Sequence, residues 1–420
     1  MSARALIKGR PASPGQPAGA AATIAVIGVA GDDLAPGGAE CLAAAELVAG
    51  GGRQLAAHAP PRVERVLLDG DLEPGLARIG AARGPVAVLA SGDPGFFGIA
   101  RRLARRFGPQ RLEILPAPSS VALAFARAGL PWDDALVVSA HGRAPDAAVA
   151  AARAHPKVAV LTEPRFTPAD LAGALSAGPQ RWMVVAERLG EPAERLTEGT
   201  PAQIAGMRFA DPNVALVLDP SRADAPKRSA WPPRTPVDWA LGEESFDHRE
   251  GMITKAEVRA LALARLGPGV GDLMWDVGAG SGSVAVECAR LGSAAIAVDR
   301  DPDACRRARA NAAAHGVDLQ VVEGEAPGAL EGLPDPDGVF VGGGGDELPA
   351  LVDLAVARAR RAVVVALATV ERVTTATERL EAGGLEVDAV MLQASRLRRL
   401  GAGHRLAAGN PVFVAWGRRR

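Results

Sequence analysis

The chain has no tyrosine, and aromatic residues fill only 4% of its 420 positions. Surfaces that stack nucleic-acid bases interleave aromatic with basic residues, and no such stretch occurs here. Cysteine is scarce as well. Cys41, Cys288 and Cys305 share no metal-ligand spacing, so no metal site is expected, and three thiols suit a reducing, cytoplasmic setting. No apolar run approaches the roughly 20 residues that span a bilayer. Excess charge of either sign is missing too: a formal net charge of −1 gives no global pull toward nucleic acid. Almost every basic residue is Arg, which reads as a coding bias. What remains is a 48% hydrophobic chain, long enough for two or three domains with sizeable cores. Residues 1–21 are rich in Arg, Pro, Ala and Gly without a compact apolar segment, and read as a disordered tail rather than a transit peptide.

Strand-like and helix-like segments then alternate. Strands are expected at Thr23–Val29, Val86–Leu89, Leu112–Leu115, Val158–Leu161, Met183–Ala186 and Asn213–Leu218, with helices at Ala39–Val48, Ile99–Phe107 and Val121–Ala128. Such alternation means a layered α/β domain. From Asp219 to Glu244 the pattern lapses. Pro220, Pro226, Pro232, Pro233 and Pro236 crowd a polar, aperiodic stretch that reads as a semi-rigid linker. A second alternating set follows. It has a helix near Lys255–Leu266, strands at Leu273–Val277, Ala295–Val298, Gln320–Glu323, Gly338–Val341 and Ala362–Ala366, and a last apolar strand at Pro411–Trp416.

The most informative stretch, Trp275–Glu287, reads WDVGAGSGSVAVE. An apolar run meets Asp276, glycines occupy every second position (Gly278, Gly280, Gly282), and a helix-like run follows. Glycine lets the backbone turn tightly and approach a ligand. About 20 residues on, Asp299 ends a second apolar run, where an acid can hold the hydroxyl pair of a ribose. A dinucleotide fingerprint spaces its glycines G-x-G-x-x-G to seat a pyrophosphate. The spacing here is G-x-G-x-G, which resembles the first motif of the class I S-adenosylmethionine (SAM) methyltransferases. Thr254 with Glu257 three residues on has the form of a capping box, and a ligand role for Thr254 stays open beside it. Gly342–Gly345 follows a strand. It is either a flexible loop or a place where a large flat ligand meets bare backbone. Arg396, Arg398, Arg399, His404 and Arg405, with Arg418–Arg420, are either a solvated basic face or bidentate partners for carboxylates.

In the first half, SGDPGFFG (Ser91–Gly98) follows a buried strand. Asp93 there is a turn former or an acceptor for a ribose, and Ser119 and Ser120 are placed to cap a helix. Together with TIAVIGVAGD and EILPAPSSVALAFARAGLPWDDALVVSAHGR, the segment resembles the tetrapyrrole (corrin and porphyrin) methylases, most closely those that methylate carbon 5 of a precorrin. The resemblance covers about Thr23 to Leu218. It implies that family's fold of two α/β subdomains and a SAM pocket lined by Asp93, Phe96, Ser119 and Ser120. The family's first loop, G-x-G-P-G, is here Gly28-Val29-Ala30-Gly31-Asp32, which leaves the contact of Gly28 open.

In the second half, Phe246–Leu266, the glycine motif and Val321–Glu347 resemble the decarboxylating precorrin methyltransferases that act at carbon 15, a Rossmann-like class I SAM fold. That resemblance implies SAM contacts at Thr254, Gly278, Ala279, Gly280, Ser281, Gly282, Asp299 and Ala326. The expected organisation is a tail at 1–21, a tetrapyrrole methylase domain at 22–220, a Pro-rich linker at 221–245 and a class I SAM domain at 246–420. The order of the two halves resembles the fused family that converts precorrin-6B to precorrin-8X in cobalamin biosynthesis, by two methylations and decarboxylation of the ring C acetate.

The chemistry asks little covalent help. Precorrin meso carbons are enamine-like nucleophiles, and the conjugated macrocycle absorbs the electrons left by carbon dioxide. His248, Arg249 and Glu250, just ahead of Thr254, are candidates for proton transfer or for ordinary loop salt bridges. A tetrapyrrole substrate and a homo-oligomer are expected, with no nucleic-acid or membrane partner. The rival readings are an NAD(P)-dependent oxidoreductase, a SAM enzyme acting on another substrate, and a non-catalytic tetrapyrrole carrier.

Overall fold

The structure, a computed structural model, describes residues 23–140, 144–222, 238–249 and 251–419. The expected tail, most of the Pro-rich linker and Glu250 lie outside these residues. The chain divides into two compact units. One comprises residues up to Leu123 together with Leu189–Glu194; the other comprises Ala124–Arg188 and everything from Arg195 onward.

The first unit is built on a six-stranded sheet. Its strands are β1 (Ile24–Ala30), β2 (Asp33–Leu34), β3 (Leu47–Gly50), β4 (Glu64–Leu67), β5 (Val86–Ser91) and β6 (Leu112–Leu115), in the order β2-β1-β5-β3-β4 with β6 also pairing β1. Only β2 is antiparallel to its neighbour. Parallel strands covered on both faces need apolar side chains on both. β1 supplies them by alternation: Ile24 and Val26 join one core, Ala25, Ile27 and Val29 the other. One expectation is corrected here. The helix read at Ala39–Val48 runs only from Gly38 to Ala44, and Leu47–Gly50 is a buried strand between β5 and β4. Four consecutive apolar residues have no period that separates helix from strand.

The second unit holds two sheets. The smaller contains β7 (Leu136–Ser139), β8 (Lys157–Leu161), β9 (Trp182–Glu187), β10 (Arg195–Gly199) and β11 (Asn213–Leu218), ordered β10-β9-β11-β8-β7 and mostly antiparallel. The larger contains β12 (Leu273–Val277), β13 (Ala294–Asp299), β14 (Gln320–Glu323), β15 (Gly338–Gly342), β16 (Ala362–Leu367), β17 (Glu386–Leu392) and β20 (Val412–Arg418). Its order is β14-β13-β12-β15-β16-β20-β17, with β20 alone antiparallel to its neighbours. Again two cores flank the strands. Trp275, Ile296, Val339 and Val363 lie on one face, Met274, Ala295, Phe340 and Val364 on the other. β18 (Ser395–Leu400) and β19 (Gly403–Ala408) form a separate hairpin that sequence periodicity did not separate from a basic patch.

Buried charge joins the two sheets of this unit. Arg181, with 1% of its side chain exposed, donates to Asp318 at 2.7 Å. Arg222 reaches the same Asp318, donates to Asp219 at 2.6 Å and to the Gly316 carbonyl at 2.8 Å. Asp146 and Arg360 form a further, exposed pair at 3.1 Å.

Candidate active site

Strand order in the larger sheet reverses between β12 and β15, so the crevice beyond their carboxyl ends is where an open α/β sheet takes its ligand. A cavity of about 1270 Å³ lies there. Its floor comes from the loops after β12, β13, β14, β15 and β16, including Gly278–Ser281, Asp299, Ala326, Gly343 and Ala368.

The glycine spacing has a conformational cause. Gly278, Gly280 and Gly282 have φ of 72°, 56° and 70°, a region that other residues enter at a cost. Their surroundings differ. A Cβ on Gly278 would lie 2.7 Å from the Gly342 carbonyl oxygen, so this glycine closes the switch point. A Cβ on Gly282 would meet Ala308 at 2.8 Å, and Gly282 does not line the cavity. A Cβ on Gly280 would meet nothing within 4 Å, so this side of its backbone faces open cavity. The Gly280 N–H donates to Asp299 Oδ2 at 2.8 Å, and the Asp301 N–H to Asp299 Oδ1 at 2.9 Å. The half-buried Asp299 is thereby oriented, with each oxygen keeping further acceptor capacity. Ser281 lines the same wall, and its buried Oγ has no hydrogen-bond partner among the described residues.

Asp276, the acid that precedes the glycines, does different work. It is 2% exposed and absent from the cavity wall. Its Oδ2 accepts the Ala285 N–H at 2.9 Å, tying β12 to the start of the helix Ser283–Arg290. Oδ1 has no partner among the described residues. Burial pushes its pKa from 3.8 up to about 7, helped by the nearby Asp299. The folded state therefore holds a proton that the unfolded chain releases near pH 4. That stabilising contribution is complete below about pH 4 and lost as the pH rises through about 7. Stability measured by denaturant between pH 4 and 8 should fall with a slope that Asp276→Asn flattens. An unchanged slope in the variant would exclude Asp276 as its source.

One wall of the cavity is lined by Glu243 and Met252–Lys255, and the distant partners that hold it in place left no sign in the sequence. Two buried polar hubs hold it to the glycine loop and the helix after it. Glu287, fully buried, accepts the Leu241 N–H at 2.7 Å and the Ala240 N–H at 3.2 Å. It also pairs at 3.3 Å with the fully buried Arg259, which donates to the Thr254 carbonyl at 2.6 Å. Asn311 takes the Asp247 N–H at 2.7 Å and donates to the Asp247 and Ser281 carbonyls at 2.9 and 2.8 Å. Phe246 packs between them against Val286 and Ala312.

The capping box expected at Thr254 is absent. The helix runs Ala256–Leu266, Lys255 is its N-cap, and no side chain of the cap residue bonds the first turn. Glu243 caps it from a distance, taking the Ala256 N–H at 3.0 Å. The same carboxylate grips Arg396 of β18, which also reaches Glu257 at 3.0 Å. The hydrogen bond from Arg396 holds Glu243 down at about 2, against its burial. Glu257 is thus an ion-pair partner rather than half of a capping box, while Thr254 lines the cavity.

The other expected residues sort plainly. Ala279, Ser281 and Ala326 lie on the cavity wall. His248 and Arg249 do not; His248 Nδ1 accepts the Gly251 N–H at 3.2 Å, and Arg249 bridges Met252. In the first unit, the loops after β1, β5 and β6 converge. A Cβ on Gly28 would fall 2.3 Å from the Gly92 carbonyl oxygen and 2.4 Å from the Ala117 nitrogen. Gly28 is thus required for the close approach of three strand ends. Asp93 forms a turn by accepting the Gly95 N–H at 2.8 Å, and Phe96 meets Phe97 edge-on at 5.0 Å. Ser119 accepts the Ala122 N–H at 3.1 Å, as an N-cap does, and Ser120 is an exposed residue in the first turn.

Comparison with known proteins covers both halves. Residues 23–205 match the family described as Tetrapyrrole (Corrin/Porphyrin) Methylases, and residues 244–419 the one described as Precorrin methyltransferase domain. A precorrin-6Y C(5,15)-methyltransferase (decarboxylating) of a Sinorhizobium species is 40% identical over 355 residues, 80% of this chain and 82% of that protein. A probable cobalt-precorrin-6B C(15)-methyltransferase (decarboxylating) of Pyrobaculum calidifontis is 40% identical over 44% of this chain and 96% of its own. A cobalt-precorrin-7 C(5)-methyltransferase of Salmonella typhimurium is 37% identical over 41% of this chain and 88% of its own.

Proposed function

Because the chain belongs to the precorrin-6Y C(5,15)-methyltransferase (decarboxylating) family, we propose that it methylates a precorrin at carbons 5 and 15 and decarboxylates the ring C acetate, releasing carbon dioxide and leaving a methyl group, in cobalamin biosynthesis. One observation of the structure carries the reading for the second half. At the switch point, open backbone at Gly280, the oriented carboxylate of Asp299 and the unpartnered Ser281 Oγ share one wall. These groups fit SAM: an acid for ribose hydroxyls, a free hydroxyl to bond, and backbone without side chains in the way. Thr254, Gly278, Ala279 and Ala326 complete the wall of that site. In the first unit, the loops that carry Asp93, Phe96, Ser119 and Ser120 would hold a second SAM.

SAM supplies the methyl group. The chain supplies position: a donor and an acceptor carbon held in line can lower the barrier by about 7–11 kcal/mol. The 240–255 wall, held by Glu287 and Asn311, keeps the acceptor side fixed and shields it from bulk water. Incubation of the full-length chain with SAM and its precorrin should add two methyl groups and remove one carbon dioxide per tetrapyrrole by mass. Titration should bind two equivalents of SAM. Addition of a single methyl with the carboxylate retained would refute the reading.

A further inference from the structure

The hairpin β18–β19 borders the cavity, and its pairing places a concentration of positive charge there. Register opposes Arg396 to Ala407, Leu397 to Leu406, and Arg398 to Arg405. Directly opposite residues share a face and alternate along the strand. Arg396, Arg398, Ala407 and Ala408 line the cavity; Arg405 does not itself line it, but register puts it on the same hairpin face as Arg396, Arg398 and Ala407, beside the cavity rim. The reverse face carries the exposed pair Leu397 and Leu406.

These arginines are not equivalent. Arg396 is neutralised by Glu243 and Glu257. Among the described residues, no carboxylate pairs with Arg398 or with Arg405. Like charges directly across a strand pair are destabilising, and the wall acids Asp346 and Glu347 form no ion pair with either arginine among the described residues. Lys255, also on the cavity wall, meets only the Gly251 carbonyl among the described residues, at 3.2 Å. Elsewhere on the wall the remaining cation, Arg300, is paired with Glu325 at 3.0 Å. An uncompensated basic group at one side of a cavity this large points to a ligand with several negative charges.

We propose that Arg398 and Arg405, with Lys255, form a carboxylate-recognition subsite that takes the side-chain carboxylates of the tetrapyrrole and fixes which face of the macrocycle meets the methyl donor. The subsite rests on the reading of the chain as a precorrin methyltransferase. Arg396 is the anchor that pins the hairpin to the wall, and Arg398 and Arg405 are the residues that read the substrate. Guanidinium groups bind carboxylates bidentately, which gives orientation as well as attraction.

The test uses the full-length chain with Arg398→Gln, Arg405→Gln and the double variant. Carbon-15 methylation and carbon dioxide release are followed at varied precorrin concentration, and SAM affinity is measured separately by calorimetry. KM for the precorrin should rise about tenfold for each single variant and further for the double, with SAM affinity unchanged. Arg398→Lys should recover only part of the loss, since a point charge replaces a fork. Thermal stability should hold or increase, because a like-charge pair is relieved; a merely structural arginine would lower it. An unchanged KM, or SAM affinity falling in step with KM, overturns the subsite while wild-type turnover leaves the functional reading intact. A wild-type chain that adds no methyl to the precorrin removes both.

Discussion

Asp299→Ala is expected to weaken SAM binding at the C-terminal site by roughly 10- to 100-fold and to leave the other equivalent of SAM untouched. The magnitude follows from hydrogen bonds to a charged group, each worth about 1.5–3 kcal/mol, with about 1.4 kcal/mol per factor of ten. Two effects combine. The variant loses the acceptor for the ligand, and it frees the Gly280 N–H, which the Asp299 carboxylate holds at 2.8 Å. Asp299→Asn keeps an acceptor for that N–H and should weaken binding less. In a calorimetric titration the wild-type chain should show two sites, and the alanine variant one site of unchanged affinity and one shifted. Carbon-5 methylation should persist while carbon-15 methylation and carbon dioxide release fall together at limiting SAM. Two unshifted sites would remove Asp299 from the cofactor's contacts.

The largest effect on stability is expected at Glu287. It is fully buried, and it satisfies two backbone N–H groups of the cavity wall together with Arg259. Removing one partner of a buried ion pair leaves the other charge uncompensated, at about 3–5 kcal/mol. Glu287→Ala should lower the denaturant midpoint of the second unit by that order and raise hydrogen exchange across 240–255. Replacing both partners, with Glu287→Leu and Arg259→Met, should be milder than the single change, because no orphaned charge remains. A single variant as stable as the wild type would show that the pair contributes nothing net. Phe246, whose ring lies 4.7 Å from the Arg259 guanidinium, should loosen with the wall.

Legibility in the sequence followed distance along the chain. Central strands such as β5 and β12 show as short apolar runs because both faces are covered, and β6, β11, β12 and β14 fall where they are expected. The G-x-G-x-G spacing and Asp299 are readable because three left-handed turns and a strand end recur at short range. Partners far apart leave no such trace. Glu243 and Arg396 are 153 residues apart, and Asn311 and Asp247 64. The capping box at Thr254 was misleading for the same reason: a local pair fits the pattern, yet a distant carboxylate takes the N–H. Gly342–Gly345 is a different case. Gly343, Gly344 and Gly345 have φ of 109°, 108° and 52°, so backbone conformation alone requires glycine there, whatever ligand approaches.

The junction at Asp318 bears on modularity. Resemblance to separate families suggests a cut between residues 205 and 244. Packing draws another line, because the sheet β7–β11 belongs to the same compact unit as the C-terminal sheet. Excision at the resemblance boundary strips Asp318 of both Arg181 and Arg222 and leaves Arg360 without Asp146. The excised piece would carry an unpaired Asp318 and an unpaired Arg360 where the fused chain has a seam of paired charge. A dissection meant to yield a self-standing module therefore has to redesign this seam, with Asp318→Asn as its first change, rather than only choose a convenient terminus.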